Sequence, residues 1–318
     1  MVFLYGLIFI FSCFILIRSG ASVVRSLTRI AQFLGWREFV VASVLMAFAT
    51  SLPEVFIGLT SALHGKPQLS FGNVIGSNII VLTLVIGIGA ILAKGIKFEG
   101  KTLQRSSLYA ILIGFFPLVL LLDGEISRVE GVILLLALVI YFYRLCVQEE
   151  RFTKVFSNHF KRNWTRFRLF LKDLAIFGFG VVLLILSSEG IVYSAEKLAI
   201  ELNLSLVVIG LFLVAIGTSM PEITFGIRSV IMGHQHMLLG DVIGSVVINS
   251  TFVLGTTVII SPLRVENFSP YIVGIIFTLL ASFVFLIFLR TGKEISKKEA
   301  IFLIELYLLF FLAEMLVN

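Results

Sequence analysis

Ten stretches of the chain are almost purely apolar, at about 2–17, 39–63, 71–93, 107–122, 129–146, 174–195, 203–232, 238–262, 270–289 and 301–317. Polar residues are largely confined to the short gaps between them. A helix needs roughly 20 apolar residues to cross a bilayer, whereas barrel strands alternate apolar and polar positions over about ten. The runs are continuous, so the pattern predicts an all-α polytopic membrane protein with ten transmembrane helices. No basic segment precedes the first run, which ends at Arg18 without a small-residue cleavage pattern. It is expected to be a retained helix and not a signal peptide.

Composition agrees with this reading. The 318 residues are 58% hydrophobic and only 14% charged, with a mean hydropathy of +1.07. Soluble domains run nearer about 45–50% and 25%, so a soluble enzyme, a nucleic-acid binder and a disordered chain are excluded. The net charge of +6 reflects the excess of Lys and Arg that marks cytoplasmic loops. With ten spans and the N-terminus outside, only Lys66, Arg128, Lys197 and Arg264 of the 25 basic residues fall in outside loops. Both termini are therefore expected to face outward across a cell membrane. Residues 144–172 are expected to form a cytosolic basic linker, partly an interfacial helix touching lipid headgroups. Cys13 and Cys146 have no metal or redox spacing, and each is expected to be a buried free thiol.

The chain repeats itself. ATSLPEVFIG at 49–58 returns as GTSMPEITFG at 217–226, and GNVIGS at 72–77 as GDVIGS at 240–245, both displaced by 168 residues. The same displacement matches Ala47 to Ala215, Ser61 to Ser229 and Gly87 to Gly255. Residues 1–143 and 173–318 then form two five-helix repeats, with motif regions at about 39–93 and 203–262. Five is odd, so the second copy enters from the opposite side, and inverted repeats of this kind place a transport site near the midplane.

Each of the runs 39–63 and 203–232 carries a proline and a glutamate at its middle. Pro53 and Pro221 interrupt backbone hydrogen bonding, and such breaks survive at membrane depth only where they line a cavity or bind something. Thr50-Ser51 and Thr218-Ser219 precede the prolines, and Glu54 and Glu222 follow them. An intramembrane carboxylate is costly unless protonated, paired or coordinated, and no basic residue is placed to pair with either. Gly76-Ser77 and Gly244-Ser245 come from the next spans, glycine allowing close helix approach. Carboxylate, hydroxyl and free carbonyl are hard ligands that suit Ca²⁺, Na⁺ or Mg²⁺.

GTSMPE and GNVIGSN resemble the two alpha repeats of the sodium/calcium exchanger family, in the cation/calcium exchanger superfamily, over essentially the whole chain. The likeness is to compact prokaryotic members. It implies ten helices, eight forming a core and the first and sixth lying across it as a sliding pair. It implies a calcium site from Glu54, Glu222 and the carbonyls of Thr50 and Thr218. It also implies flanking sodium sites from Ser51, Ser77, Ser219, Ser245, the Thr218 hydroxyl and the carbonyls of Ala47 and Ala215. Family members usually carry Asn or Asp one turn after each motif serine. Here those central positions hold Val81 and Asn249, so a drier centre is expected. Asp241 stands where the family pattern has Asn and, read as the start of its helix, is expected to be an N-cap.

Sodium-driven calcium antiport without a cofactor is the function implied, with Ca²⁺ and Na⁺ as cargo. A cation/proton exchanger using the same two glutamates is the alternative, but the GNATEL-type motif of proton-coupled relatives is missing. An intramembrane protease would need a Ser/His pair or a second intramembrane Asp. A primary pump would need a GxxxxGK[ST] phosphate loop and a nucleotide domain, neither of which is expected here, and a channel needs no matched carboxylate pair. His234 and His236 are read as solvated, and Glu196 as a partner of Lys197 or solvent. The charge split predicts that, in cells lacking the native cysteines, Lys66→Cys is labelled by a membrane-impermeant thiol reagent and Lys161→Cys is not. The opposite pattern would sink the inverted arrangement.

Overall fold

Wherever the chain is described, the ten apolar runs are helical. The computed structural model describes residues 1–33, 46–97, 101–148, 164–291 and 294–317, so part of the second run, most of the linker and the Cys146 side chain lie outside it. The first half contains α1 (Val2–Phe33), α2 (Met46–Thr50), α3 (Leu52–Leu63), α4 (Pro67–Ile80), α5 (Ile86–Ala93), α6 (Lys101–Leu120) and α7 (Arg128–Gln148). The second contains α8 (Trp164–Leu202), α9 (Leu206–Ile209), α10 (Ala215–Thr218), α11 (Met220–Ile231), α12 (Gln235–Ile248), α13 (Leu254–Ile260), α14 (Ser269–Thr291) and α15 (Lys297–Val317). Among the described residues, six helical stretches are long and apolar enough to cross a membrane. A seventh results when Leu206–Thr218 and Met220–Ile231, bent by 41°, are taken as one span.

The two breaks have the same local cause. Ser51 and Ser219 have ψ of 5° and 1°, well off the helical value of about −42°. Each proline lies in the first turn of the helix that restarts there, a position where its missing N–H costs nothing. A carboxylate follows at once, so Glu54 and Glu222 sit in the first turns of α3 and α11.

Helix boundaries repeat with the sequence. α3 and α11, and likewise α4 and α12, cover the same intervals displaced by 168 residues. So do the π-helical turns Val81–Val85 and Asn249–Val253. A third π turn, Gly210–Val214, joins α9 to α10. Thr83 and Thr251 donate to the carbonyls of Ile79 and Val247 at 2.5 and 2.6 Å, a matched pair beside the matched turns.

The halves cross through glycines. A Cβ on Gly76 would come within 2.1 Å of the Leu211 carbonyl oxygen and 2.6 Å of the Ala215 Cβ. In the reciprocal contact, a Cβ on Gly244 would lie 2.4 Å from the Ala47 Cβ. Each half thus presents its GS glycine to the alanine just before the other half's break, an exchange-symmetric contact of the kind a two-fold relation produces.

Outside this core, α1 and α8 lie along each other antiparallel. Tyr5 meets Tyr193, Gly180 faces Val23, and Phe33 stacks on Phe170. Arg29 pairs with Asp173 at 2.8 Å, and at the other end Lys66 pairs with Glu196. Glu196 therefore does not pair with Lys197, whose ammonium lies 5.8 Å from the Tyr193 ring centre. α1 also touches both breaks: Gly20 rests against Pro53, and Gly217 against the buried free thiol Cys13. From α8, Ser188 shares a 2.8 Å hydrogen bond with Thr60 of α3.

Two short antiparallel ladders join the halves at their loops. β1 (Ile96–Lys97) pairs with β4 (Glu294–Ile295), and β2 (Glu125–Ile126) with β3 (Leu263–Arg264). The glycine crossing sets a stability expectation. Gly76→Ala should destabilise by about 1–3 kcal/mol, as overpacking generally does, whereas Gly6→Ala, with nothing within 4 Å, should be neutral or mildly stabilising. Thermal unfolding in detergent decides it, and equal melting temperatures would refute the tight crossing.

Candidate functional site

Four elements converge where the breaks meet the GS motifs: the α2–α3 break, α4, the α10–α11 break and α12. All eleven residues singled out from the sequence lie in or beside this layer, and Ala47, Thr50, Ser51, Glu54, Ser77, Ala215, Thr218, Ser219, Glu222, Ser245 and Asn249 are all buried. The cause is the local chain geometry. Residues before each break turn their side chains toward the opposite half's glycine-bearing helix, and the glycines let that helix come close.

The hydrogen bonds come in matched pairs. Ser51 Oγ donates to Ser245 Oγ at 3.4 Å, and Ser219 Oγ to Ser77 Oγ at 3.1 Å. Thr50 Oγ1 donates to Asp241 Oδ1 at 2.9 Å, and Thr218 Oγ1 to Asn73 Oδ1 at 2.9 Å. Each threonine hydroxyl also lies within reach of a carbonyl one turn earlier, Ala47 O at 3.2 Å and Ala215 O at 3.3 Å. Ser77 Oγ donates to Glu54 Oε1 at 3.3 Å and lies 3.4 Å from the Thr218 hydroxyl.

Oxygens are left over. Both carboxylate oxygens of Glu222, Oε2 of Glu54, Oδ2 of Asp241 and Oδ1 of Asn249 are buried without a hydrogen-bond partner. Buried polar atoms are otherwise nearly always satisfied, so five lone acceptors in one layer mark a place for a cation. Glu54, Glu222 and Asp241 are near enough to repel one another when ionised. Among the described residues no three His, Cys, Asp or Glu side chains form a metal cluster by themselves. Hydroxyl, amide and carbonyl oxygens must therefore complete any coordination, which again suits hard cations.

The structure corrects one reading of the sequence and adds residues to the site. Asp241 is not an N-cap. α12 starts at Gln235 with His234 as its cap residue, which puts Asp241 in the helix interior, 4% exposed and bonded to Thr50. Val81 is buried and makes its side apolar, but Asn249 Nδ2 donates to Asn78 Oδ1 at 3.3 Å, and Asn78 Nδ2 to Ser250 Oγ at 2.9 Å. The two π turns begin at Val81 and Asn249. Asn73 and Asn78 were legible as polar letters of GNVIGSN, whereas Ser250 had no sequence signal beyond its position beside Asn249. His234 is exposed. The string GIKFEGKT at 95–102 has the spacing of a phosphate loop, but it follows a helix, and its Ile96–Lys97 pairs antiparallel with Glu294–Ile295. It is not the strand–loop–helix setting that such a loop requires.

Comparison with known proteins places this arrangement among transporters. The profile of the family described as sodium/calcium exchanger protein matches residues 4–147 and again 172–316. The sodium/calcium exchanger MaX1 of Methanosarcina acetivorans is 28% identical over 345 residues, covering 98% of this chain and 96% of that protein. An uncharacterized membrane protein of Methanocaldococcus jannaschii, MJ0091, is 30% identical over 281 residues, or 88% of each chain. Among solved structures, the sodium-calcium exchanger NCX_Mj soaked with 10 mM Na⁺ and 10 mM Sr²⁺ matches with a TM-score of 0.66 at 29% identity, covering 97% of this chain and 98% of that one.

The unpartnered carboxylates carry a stability consequence. Glu222→Gln replaces a buried charge by an amide that is cheaper to bury. Without added ions the variant should melt at or above the wild-type temperature. Stabilisation by added Ca²⁺, which follows from ligand binding to the folded state alone, should shrink or vanish. Undiminished Ca²⁺ stabilisation would mean that Glu222 is not a ligand.

Proposed function

The chain belongs to the sodium/calcium exchanger protein family, and on that premise we propose that it exchanges Na⁺ for Ca²⁺ across the cell membrane by alternating access at the site between its two halves. Glu54 and Glu222 hold Ca²⁺ together with the carbonyls of Thr50 and Thr218. Ser51, Ser77, Ser219, Ser245, the Thr218 hydroxyl and the carbonyls of Ala47 and Ala215 hold Na⁺ on the flanks. Asn249 closes the centre through Asn78. One observation carries the reading: two buried glutamates follow matched helix breaks, and three of their four carboxylate oxygens have no partner.

The chemistry follows from charge. Two carboxylates balance one divalent ion or two monovalent ions, so sodium on the flanks and calcium between the glutamates compete for the same negative charge. Filling one set of sites discharges the other, which is the coupling an antiporter needs. Access changes when the α1–α8 pair shifts over the breaks. α1 touches Pro53 and Gly217, and α8 is bonded to α3 through Ser188 and Thr60. Movement of the pair therefore bears directly on the residues that hold the ions.

Both termini face outward, and residues 144–172 lie in the cytosol. Three observations support this sidedness. The antiparallel contact of α1 with α8 brings copies of the same repeat segment together in opposite directions. The β1–β4 ladder ties two loops that the charge split puts inside, and β2–β3 ties two that it puts outside. The Lys66–Glu196 and Arg29–Asp173 pairs mark the outer and inner ends of the α1–α8 pair.

In proteoliposomes loaded with Ca²⁺, an imposed inward Na⁺ gradient should drive Ca²⁺ out, and a pH gradient at fixed Na⁺ should not. Glu54→Gln and Glu222→Gln should each reduce the flux by a factor of about 100 or more, since losing one charged ligand removes several kcal/mol of binding at a desolvated site. Flux driven by pH alone would reject sodium as the coupling ion. Near wild-type flux in either variant would reject the site.

A further inference from the structure

The two flanks of the site share one hydrogen-bonding framework, and at one matched pair of positions they differ in charge. On one side Thr218 donates to the amide oxygen of Asn73, and on the other Thr50 donates to a carboxylate oxygen of Asp241, both at 2.9 Å. Residues 73 and 241 are separated by the repeat displacement, so they occupy equivalent places. Ser219 with Ser77 completes the neutral flank, and Ser51 with Ser245 the acidic one. Asp241 is 4% exposed, and its second oxygen, Oδ2, is buried with no hydrogen-bond partner. Thr50 cannot explain the carboxylate, because an amide oxygen does the same service for Thr218 across the repeat. No basic residue is recorded in a salt bridge with Asp241 among the described residues.

We propose that Asp241 is a direct ligand for a monovalent cation, making the flank formed by Thr50, Ser51 and Ser245 an anionic Na⁺ site that binds more tightly than its neutral counterpart at Asn73. The proposal rests on the sodium/calcium reading of the site and adds to it an inequality between the flanks. An ionised buried carboxylate needs a counter-ion, and a small monovalent cation fits a set of one carboxylate oxygen, two serine hydroxyls and the Ala47 carbonyl. The same charge explains how the chain manages a neutral centre. Where the family pattern often places an acid at the central position, this chain has Asn249, and its third acid stands about two turns earlier in α12, on the flank. Sodium binding then begins at Asp241, and the weaker Asn73 flank fills at higher Na⁺ concentration.

The test compares three purified proteins in proteoliposomes: wild type, Asp241→Asn, and the double variant Asn73→Asp with Asp241→Asn. Two fluxes are read, Na⁺-driven Ca²⁺ efflux as a function of Na⁺ concentration, and Ca²⁺ self-exchange without Na⁺. Asp241→Asn keeps an acceptor for Thr50, so a merely structural role is preserved. The Na⁺ concentration for half-maximal efflux should rise roughly tenfold, the effect of about 1.4 kcal/mol, with a cooperative melting transition in detergent showing that the protein is folded. Moving the carboxylate to position 73 should restore the low half-maximal concentration. An unchanged Na⁺ dependence in Asp241→Asn would overturn the proposal. So would a defect that Asn73→Asp fails to rescue, or a change confined to the pH profile of the flux, which would make Asp241 a proton carrier. Absence of Ca²⁺ self-exchange in the wild type would instead defeat the calcium reading and leave the proposal without its premise.

Discussion

Negative charge buried at the middle of an apolar bundle is the constraint on which everything else in this molecule depends. Glu54 and Glu222 cannot stay ionised there without compensation, and among the described residues no cationic side chain forms a salt bridge with either. Oxygen atoms surround them instead, and in the proposed function the transported cations supply the missing charge. Hydroxyls of four serines and two threonines, amides of three asparagines and carbonyls at two helix breaks form a polar region that spans about two turns of α4 and of α12 with its π turn. Its hydrogen bonds join the two halves, so they hold only while the helices carrying them stay in register.

Close packing of these helices is delivered by absence of side chains. Gly72, Gly76 and Gly210 let α4 lie almost backbone to backbone against the segment before the second break, where a Cβ would come within 2.1–2.5 Å of a carbonyl oxygen. Close approach brings Ser77 within reach of Thr218 and Ser219. The reciprocal crossing, Gly244 on Ala47, does the same for Ser245 and Ser51. Each half therefore builds its partner's side of the site, and neither half holds a complete set of ligands.

Much of this was legible before any coordinates, because the determining residues are local. A proline and a glutamate in an apolar run announce a break and a buried acid wherever they occur, and repetition at a fixed displacement pairs them. The apolar runs locate the helices but not their ends: α1 continues to Phe33, α6 and α8 begin at Lys101 and Trp164, and the polar first turns of α4 and α12 also lie outside the runs. That is how Asp241 came to be read as a cap: the apolar run begins at about 238, but Gly233, with φ of +81°, ends the previous helix early and lets polar Gln235 begin the next. What could not be read was relational. Glu196 has a lysine beside it in sequence and another, Lys66, beside it in space, and only the fold chooses between them. The amide chain Asn249–Asn78–Ser250 likewise joins two repeats at positions that do not correspond.

The reciprocal construction also governs how such a chain can be made. Synthesis runs from one end, so the first half is made before the second. At that stage Ser51 has no Ser245 opposite, β1 and β2 have no strands to pair with, and α1 has no α8 to lie along. The β2–β3 pairing waits for Leu263–Arg264, after α13, and β1–β4 for Glu294–Ile295, after α14, and contacts so distant in sequence form late. The first half by itself therefore lacks the contacts that complete its packing, and it gains them only from the second half.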